Sequence, residues 1–558
     1  MSSNSKLTAP LSTQEKRALL AKALRKRVAA PKSYPASFAQ RRLWFLYHLE
    51  PDSPLYNIAA AIRLNGRLDV HALRQALGEV VRRHDALRTT FALADGSPVQ
   101  VVSPTLELPV PLTDLCTLPA DAREGEVARR ARAEAETPFD LGAGPLLRVG
   151  LLAFGACEHV MLLTMHHIVS DAWSMDVLVR ELTTLYKAFC EGAPSPLPEL
   201  PIQYADYARW QHKWLTGEVL ERQMDYWKRQ LRAAPVMALP TDRPRPLVRS
   251  SRGGHHAFHL PPPLAEAIRA LGAAHNATPF MTLLAAFTSL LHRYTQQEEV
   301  VVGCPIAGRN RKETEGLIGF FVNTLVLRVD AVGDPTFGEL LARVRETALG
   351  AYAHQDLPFE MLVEKLQPER RLGHTPLFQV AFVMQSRDES AAAAVDGLTF
   401  GSVPVENNFA KFDLTLAIAE TQRGLRASFE YSTELYDAET VARMAGHLRV
   451  LLEGAVSNPG CRLSELPLLT EAERLRLPAV RNAHAAARPQ AKCLPELFAE
   501  QARRTPGAVA VVDERTQLTY AQLDARADRL AHRLRTLGVA PDTLVALCLE
   551  RSCLMVVA

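Results

Sequence analysis

A strand that runs directly into a histidine pair, a tight turn and a helix lies about a third of the way along the chain. It restricts what the rest can fold into. His159 to Thr164 reads as a buried strand, and Met165-His166-His167-Ile168-Val169-Ser170-Asp171-Ala172-Trp173-Ser174 follows at once. Behind Asp171, the residues Trp173, Val177, Leu178, Leu182, Leu185 and Phe189 recur at helical spacing up to Gly192. A base at the end of a strand, with a carboxylate held near it by the next turn, suits proton chemistry. The pair alone decides nothing. With 17 His in 558 residues, about half of one adjacent pair is expected by chance. A second pair, His255-His256, is present.

At 558 residues the chain exceeds one core, and two to four domains are expected. Hydrophobic content of 47% with 22% charged residues is that of an ordinary globular protein. The 64 basic and 61 acidic residues nearly cancel, to +3. No basic stripe with interleaved aromatics occurs, so no nucleic-acid partner is expected. No apolar run reaches the roughly 20 residues of a membrane span, and Met1 to Pro10 lacks an apolar signal core. Eight scattered cysteines without a C-x-x-C are expected to be reduced, mostly buried thiols of a cytoplasmic protein.

Residues 12–29 read as a helix with Ser12 and Glu15 as a capping box, either a solvated helix or a docking segment. Pro31 and Pro35 mark a boundary. Ser37 then starts a helix, 59–64 a strand, and Asp69 caps a helix with the apolar face Leu73, Leu77, Val80 and Val81. His84 continues that face and reads as a satisfied core histidine. Helix 122–136 and strand 146–153 precede the opening stretch, and a proline-rich turn with Tyr204 to Trp210 follows it. A second lobe holds helices 264–274, 279–294 and 438–455, and strands 299–305, 325–329, 380–384, 414–418 and 425–431. Asn458-Pro459-Gly460 opens a linker. Beyond Cys493 come helix 494–504, strand 508–513, a helix boxed by Thr519 and Gln522 and stopped at Gly538, and a strand from Leu544. The sequence stops at Ala558 without a terminating signal, as a piece of something longer would.

Seven segments carry a resemblance: SFAQRRLWFL, RHDALRTTF, MHHIVSDAWS, YADYARW, IGFFVNT, HQDLPFE and, less clearly, RRLGHTPLFQ. In this order, over residues 37–379, they resemble the core motifs of the condensation domain of nonribosomal peptide synthetases. The third is the most specific, the family's HHxxxDG. Leu518-Thr519-Tyr520-Ala521-Gln522-Leu523 is similar to the first core motif of an adenylation domain. No phosphate loop or catalytic lysine segment of that domain follows within these residues. Gly253-Gly254-His255-His256 resembles a carrier's GGHS only superficially, because the acceptor serine is missing.

The resemblance implies an α/β (α+β) fold of two chloramphenicol acetyltransferase-like lobes arranged as a V, plus a truncated adenylate-forming fragment. The expected divisions are 1–30 for an N-terminal helix, linker or docking segment, 31–212 for the N-lobe and 213–457 for the C-lobe. A linker would span 458–492, and 493–558 would begin the adenylation domain. The implied reaction is attack of an acceptor amine on a donor acyl or peptidyl thioester, both carried on 4'-phosphopantetheine arms, the donor's on an upstream carrier protein of a peptide synthetase or polyketide synthase and the acceptor's on a downstream carrier protein. No bound cofactor or metal is expected for that step, and ATP and Mg only for a complete adenylation domain. His167 is expected to act as base or as hydrogen-bond positioner, and His166 to be structural, since neighbouring strand residues point opposite ways.

Asp171 is expected to shape the loop rather than serve as a triad acid. A buried carboxylate needs a partner, with Arg309 the first candidate by analogy with the family and Arg88 the second. The resemblance places the active site in a tunnel between the lobes, to which Trp173 and Asn323 are assigned, Asn323 with a packing role as the alternative. Ala172 departs from the family's glycine; if the position needs φ > 0, alanine costs about 1 kcal/mol, and otherwise its methyl narrows a passage. Epimerisation is disfavoured by the adenylation start, and a cyclising variant by the absence of DxxxxD. A catalytically inactive recruitment platform and a stand-alone acyltransferase to a free amine are the other readings.

Overall fold

The structure is a computed structural model that describes residues 31–367, 373–385, 393–395, 397–405, 408–421, 423–476, 493–513 and 516–558. The helix expected over 12–29, the linker from 477 to 492 and Arg370 to Leu372 of the seventh motif lie outside those residues. The chain forms two compact units, one ending at Thr470 and one beginning at Glu471.

The histidine-bearing strand, Glu158–His166, lies inside a six-stranded sheet. It pairs antiparallel with Asn57–Asn65, from Asn57↔His166 to Asn65↔Glu158, and on its other edge with Leu147–Gly155. Its residues are apolar at almost every position because both faces are covered. Met161, Leu163 and Met165 meet helices Val70–Arg83 and Ala172–Cys190, while Val160 and Leu162 meet helix Ala120–Glu136. The alternation turns His166 to the second face, where Phe139 stands edge-on at 6.1 Å.

A second six-stranded sheet runs in the order Asn323–Asp330, Glu299–Ile306, Val380–Gln385, Leu414–Thr421, Gly424–Ser432, Gly253–Leu260. Helices Pro262–Ala274, Pro279–Thr295, Phe337–Ala353 and Ala438–Ser457 join its core. Helix Pro279–Thr295 is buried at every position from Met281 to Leu291, which explains a sequence apolar all round. His255 and His256 sit on the outermost strand, in register with Glu430 and Phe429. A smaller sheet joins Lys32–Pro35, Ser97–Val102 and Thr89–Ala94.

Several expectations are corrected here. The chain does not divide once near residue 212: strand Leu398–Val403 returns to the first sheet and pairs with Asn57–Asn65, Thr399 opposite Asn65. The second lobe also does not stop at 457, because Leu463 and Leu466 are buried in its core. Cys116, Cys157, Cys190, Cys493 and Cys548 are exposed, and Cys304 and Cys553 are buried, so the thiols are not mostly buried. In the second unit, helices Leu494–Arg504 and Tyr520–Thr536 and strands Val509–Val512 and Gln517–Thr519 form, with Thr519 and Gln522 closing a capping box. No strand forms at Leu544, which is 99% exposed. A strand needs a neighbour for its backbone groups, and among the described residues of that unit none lies beside it.

The extension past 457 is testable. Leu463→Ala should lower stability to urea by about 2–5 kcal/mol, whereas Leu469→Ala, 38% exposed, should cost less than about 1 kcal/mol. Equal effects would place Leu463 outside the core.

Candidate active site

The site is built where the strand carrying His166 ends. His167 opens a single 3-10 turn, His167–Val169, and Asp171 caps helix Ala172–Cys190. His166 stays in the strand register and is buried. Its Nδ1 accepts from the Ile168 N–H at 3.1 Å, so its ring is engaged in holding the turn. The His167 backbone N–H donates to the Tyr56 carbonyl at 2.7 Å. Its ring Nδ1 lies 2.8 Å from the Ser170 carbonyl. A carbonyl only accepts, so Nδ1 carries the proton and Nε2 keeps its lone pair. Burial, reinforced by the charge of Lys411, holds both imidazoles down to about 3, so both are neutral at pH 7.

Asp171 does not touch either histidine. Its Oδ1 accepts from the Ser174 N–H at 2.8 Å and from Arg309 Nη2 at 3.0 Å, and lies 2.7 Å from Ser174 Oγ. Its Oδ2 accepts from the Phe321 N–H at 3.1 Å. With both partners buried to 1% side-chain exposure, this carboxylate holds a loop and orients no imidazole. Arg309 donates further to Ser174 Oγ at 2.9 Å and to the carbonyls of Leu317 and Thr314. Its guanidinium lies 4.1 Å from the Phe321 ring centroid. Arg88 is not Asp171's partner. It pairs with Asp85 and donates to the Ser103 carbonyl, because it lies in the 3-10 turn Asp85–Arg88 beside the small sheet.

Residues from other motifs complete the frame, through contacts most of which residue type and spacing do not disclose. Four consecutive backbone positions of IGFFVNT are held by side chains of the first lobe. The Ile318 N–H donates to His84 Nδ1 at 3.2 Å, the Gly319 N–H to Ser174 Oγ at 3.1 Å, and the Phe321 N–H to Asp171. The Phe320 carbonyl accepts from the Tyr204 hydroxyl at 2.6 Å. His84 gives its other nitrogen to Glu181 at 2.9 Å, so it is a buried, fully partnered histidine. A Cβ on Gly319 would come within 2.1 Å of the Tyr204 ring, so glycine is required by close approach. Gln40 Nε2 donates to the Ile168 carbonyl at 3.1 Å, and Ser37 Oγ meets the Tyr204 hydroxyl at 2.8 Å. The D-x-x-S spacing of Asp171 and Ser174 was the legible cue for one of these contacts.

Ala172 begins the helix, is exposed, and does not have positive φ. Glycine is therefore not needed there for backbone reasons. Trp173 is 40% exposed and donates through Nε1 to the Glu315 carbonyl at 2.9 Å. Asn323 clamps the HQDLPFE loop: Nδ2 donates to the carbonyls of Gln355 and Leu357, both at 2.8 Å, and Oδ1 accepts from the Phe359 N–H at 3.0 Å. It also lines a narrow cleft walled by Tyr207, Trp210, Trp214 and Phe321. Phe320 shares that wall, and its ring stands edge-on to His167 at 4.8 Å. Among the described residues, no group of three or more His, Cys, Asp or Glu is placed to hold a metal ion, and no helix is long and apolar enough to cross a membrane.

Two α/β lobes joined around a histidine-bearing turn define a two-lobed acyltransferase-type domain. Comparison with known proteins agrees. Residues 30–477 match the family model for the condensation domain, and 498–558 that for the AMP-binding enzyme. Chondramide synthase of Chondromyces crocatus is 44% identical over 527 residues, covering 94% of this chain and 13% of that protein. Phosphinothricin tripeptide synthetase PhsC of Streptomyces viridochromogenes is 43% identical, covering 94% of this chain and 48% of that one. The chain spans less than half the length of these curated relatives, and only 7–10% of the linear gramicidin synthases of Brevibacillus parabrevis that it also matches at 47–49% identity. Among solved structures, the X-domain in complex with OxyB from teicoplanin biosynthesis is 31% identical with a TM-score of 0.70, covering 79% of this chain and 97% of that one. The first condensation domain of the calcium-dependent antibiotic synthetase, 21% identical at a TM-score of 0.66 over 78% and 99% of the two chains, shares the fold. The chain belongs to the condensation-domain family, the acyltransferase-type domains that form peptide bonds in nonribosomal peptide synthesis, and continues into the start of an AMP-binding domain.

The buried charge pair yields a prediction. Arg309→Met strands Asp171 in the interior and should cost about 3–5 kcal/mol in chemical denaturation, with part recovered on adding Asp171→Asn. A loss below about 1 kcal/mol for Arg309→Met would contradict this reading of the pair.

Proposed function

We propose that this domain joins a carrier-bound acyl or peptidyl thioester to the amine of a carrier-bound aminoacyl group, with His167 positioning the amine. The observation that carries the reading is the unpaired Nε2 lone pair of a neutral His167, fixed by the Ser170 carbonyl behind it. A thioester is already activated, so the reaction needs a neutral amine held in line with the carbonyl and a route for one proton. An α-ammonium group titrates near 8, whereas the His167 imidazolium is held at about 3. Taking a proton from the resting ammonium would therefore run strongly uphill. An N–H of the neutral amine can instead donate to Nε2, which points the nitrogen lone pair at the carbonyl. The same contact receives charge as the C–N bond forms and the nitrogen turns acidic. Positioning is thus favoured over outright proton abstraction.

The donor comes from an upstream carrier and the acceptor from a downstream one, each on a phosphopantetheine arm, and the setting is the cytoplasm. The test mixes this chain with a loaded donor carrier and a loaded acceptor carrier and follows amide product by mass spectrometry. His167→Ala should lower the single-turnover rate by about 10²-fold or more. Undiminished product in His167→Ala would remove His167 from the mechanism. A wild-type chain that makes no amide with competent pairs would favour a recruitment platform.

A further inference from the structure

The cations around the histidine pair are not equally occupied. Arg309 is spent on Asp171, Ser174 and two carbonyls. Arg42 pairs with Glu360 at 3.5 Å, and Arg249 donates to the Ala410 carbonyl at 2.9 Å. Lys411 differs. Among the described residues its ammonium makes no ion pair and no hydrogen bond, and it lies over the Tyr56 ring, 5.4 Å from Nζ to centroid. Tyr56 is the residue whose carbonyl holds the His167 backbone N–H. Lys411 is thus delivered from the second lobe to the side of the histidine turn.

Its backbone is anchored on several sides. The Lys411 N–H donates to Glu430 Oε1 at 3.0 Å, and the Ala410 N–H to the Ser251 carbonyl at 2.9 Å. Arg245 pairs with Asp413, and Phe409 bridges to Arg252. No carboxylate of the described residues forms an ion pair with this half-buried ammonium, although Glu430 acts on its charge against a burial that lowers its pKa. That charge disfavours a second cation nearby, in accord with the neutral state of both histidines.

We propose that Lys411 is a further catalytic residue, whose ammonium stabilises the negative charge that builds on the donor carbonyl oxygen as the amine attacks. The inference rests on the amide-forming reading above. The amine nitrogen forms a bond to the thioester carbon, and the carbonyl π pair moves to oxygen, where Lys411 meets it. Return of that pair breaks the C–S bond, and the nitrogen's proton, received beside His167, passes to the departing thiolate. Nothing is oxidised or reduced. Donors aimed at such an oxyanion act most strongly where water is excluded.

The experiment measures single-turnover amide formation by the full chain with loaded carriers for wild type, Lys411→Met, Lys411→Gln and Lys411→Arg, with thermal unfolding recorded for each. The expected result is a fall of about 10²-fold in the rate at saturating donor for the Met and Gln variants. Lys411→Arg should recover to within about 10-fold of wild type, and all should unfold at the wild-type temperature. If Lys411→Met or Lys411→Gln folds and turns over within about threefold of wild type, the proposal is overturned while the amide-forming reading stands. A loss of rate that tracks a lowered unfolding temperature, or that Lys411→Arg does not relieve, also overturns it in favour of a structural lysine. A wild-type chain without amide product overturns both.

Discussion

The grip of one lobe on four consecutive backbone positions of the other is the interaction on which the site depends. His84, Asp171, Ser174 and Tyr204 each take one polar group of Ile318 to Phe321. A loop buried between two sheets would otherwise leave those groups without water or partners, at a cost of about 1–3 kcal/mol each. Supplying them from three helices, two of them through their capping residues, fixes the loop in position and direction. The consequence is local: Phe320 is pressed edge-on against the His167 ring, and the rings of Phe321 and Tyr204 lie 5.0 Å apart.

The ion pair at the centre of this grip serves geometry rather than acid–base chemistry. Burying Asp171 and Arg309 together carries a desolvation cost that their attraction offsets only with good geometry and further hydrogen bonds. Both conditions are met, since Asp171 has a contact on each oxygen and Arg309 reaches two carbonyls. The carboxylate is used up by the loop, and the task of orienting His167 falls to the Ser170 carbonyl. A neutral imidazole with one committed nitrogen and one open nitrogen is what remains, beside a lysine whose ammonium makes no ion pair among the described residues.

Local features of this architecture were legible in the sequence, and long-range ones were not. The strand, turn and helix around His166 and His167 announced themselves through an unbroken apolar run and an aspartate cap, both local signals. His84 was readable as structural because it continued an apolar helix face. The return of strand Leu398–Val403 to Asn57–Asn65 was not readable, since its register joins residues 334 apart in the chain, Thr399 and Asn65. Helix Phe337–Ala353 carries a local cue of the same kind, since Thr336 and Glu339 close a capping box at its start. Arg88 and Arg309 could not be ranked from residue type alone, because the choice is made by which turn each lies in. The seven motifs marked the positions that meet, but not what each contributes: Gln40, Ser174, Tyr204 and Gly319 act through single contacts with backbone or ring.

The central claim is that His167 works as a neutral hydrogen-bond acceptor through Nε2. Nitrogen-15 NMR of the chain carrying labelled histidine, with the His167 signals assigned by difference against His167→Gln, reads that state directly. The account predicts one tautomer, protonated on Nδ1, with no titration between pH 8 and pH 5, as a group held at about 3 requires. A His167 that titrates near 6.5, or that carries its proton on Nε2, would contradict it.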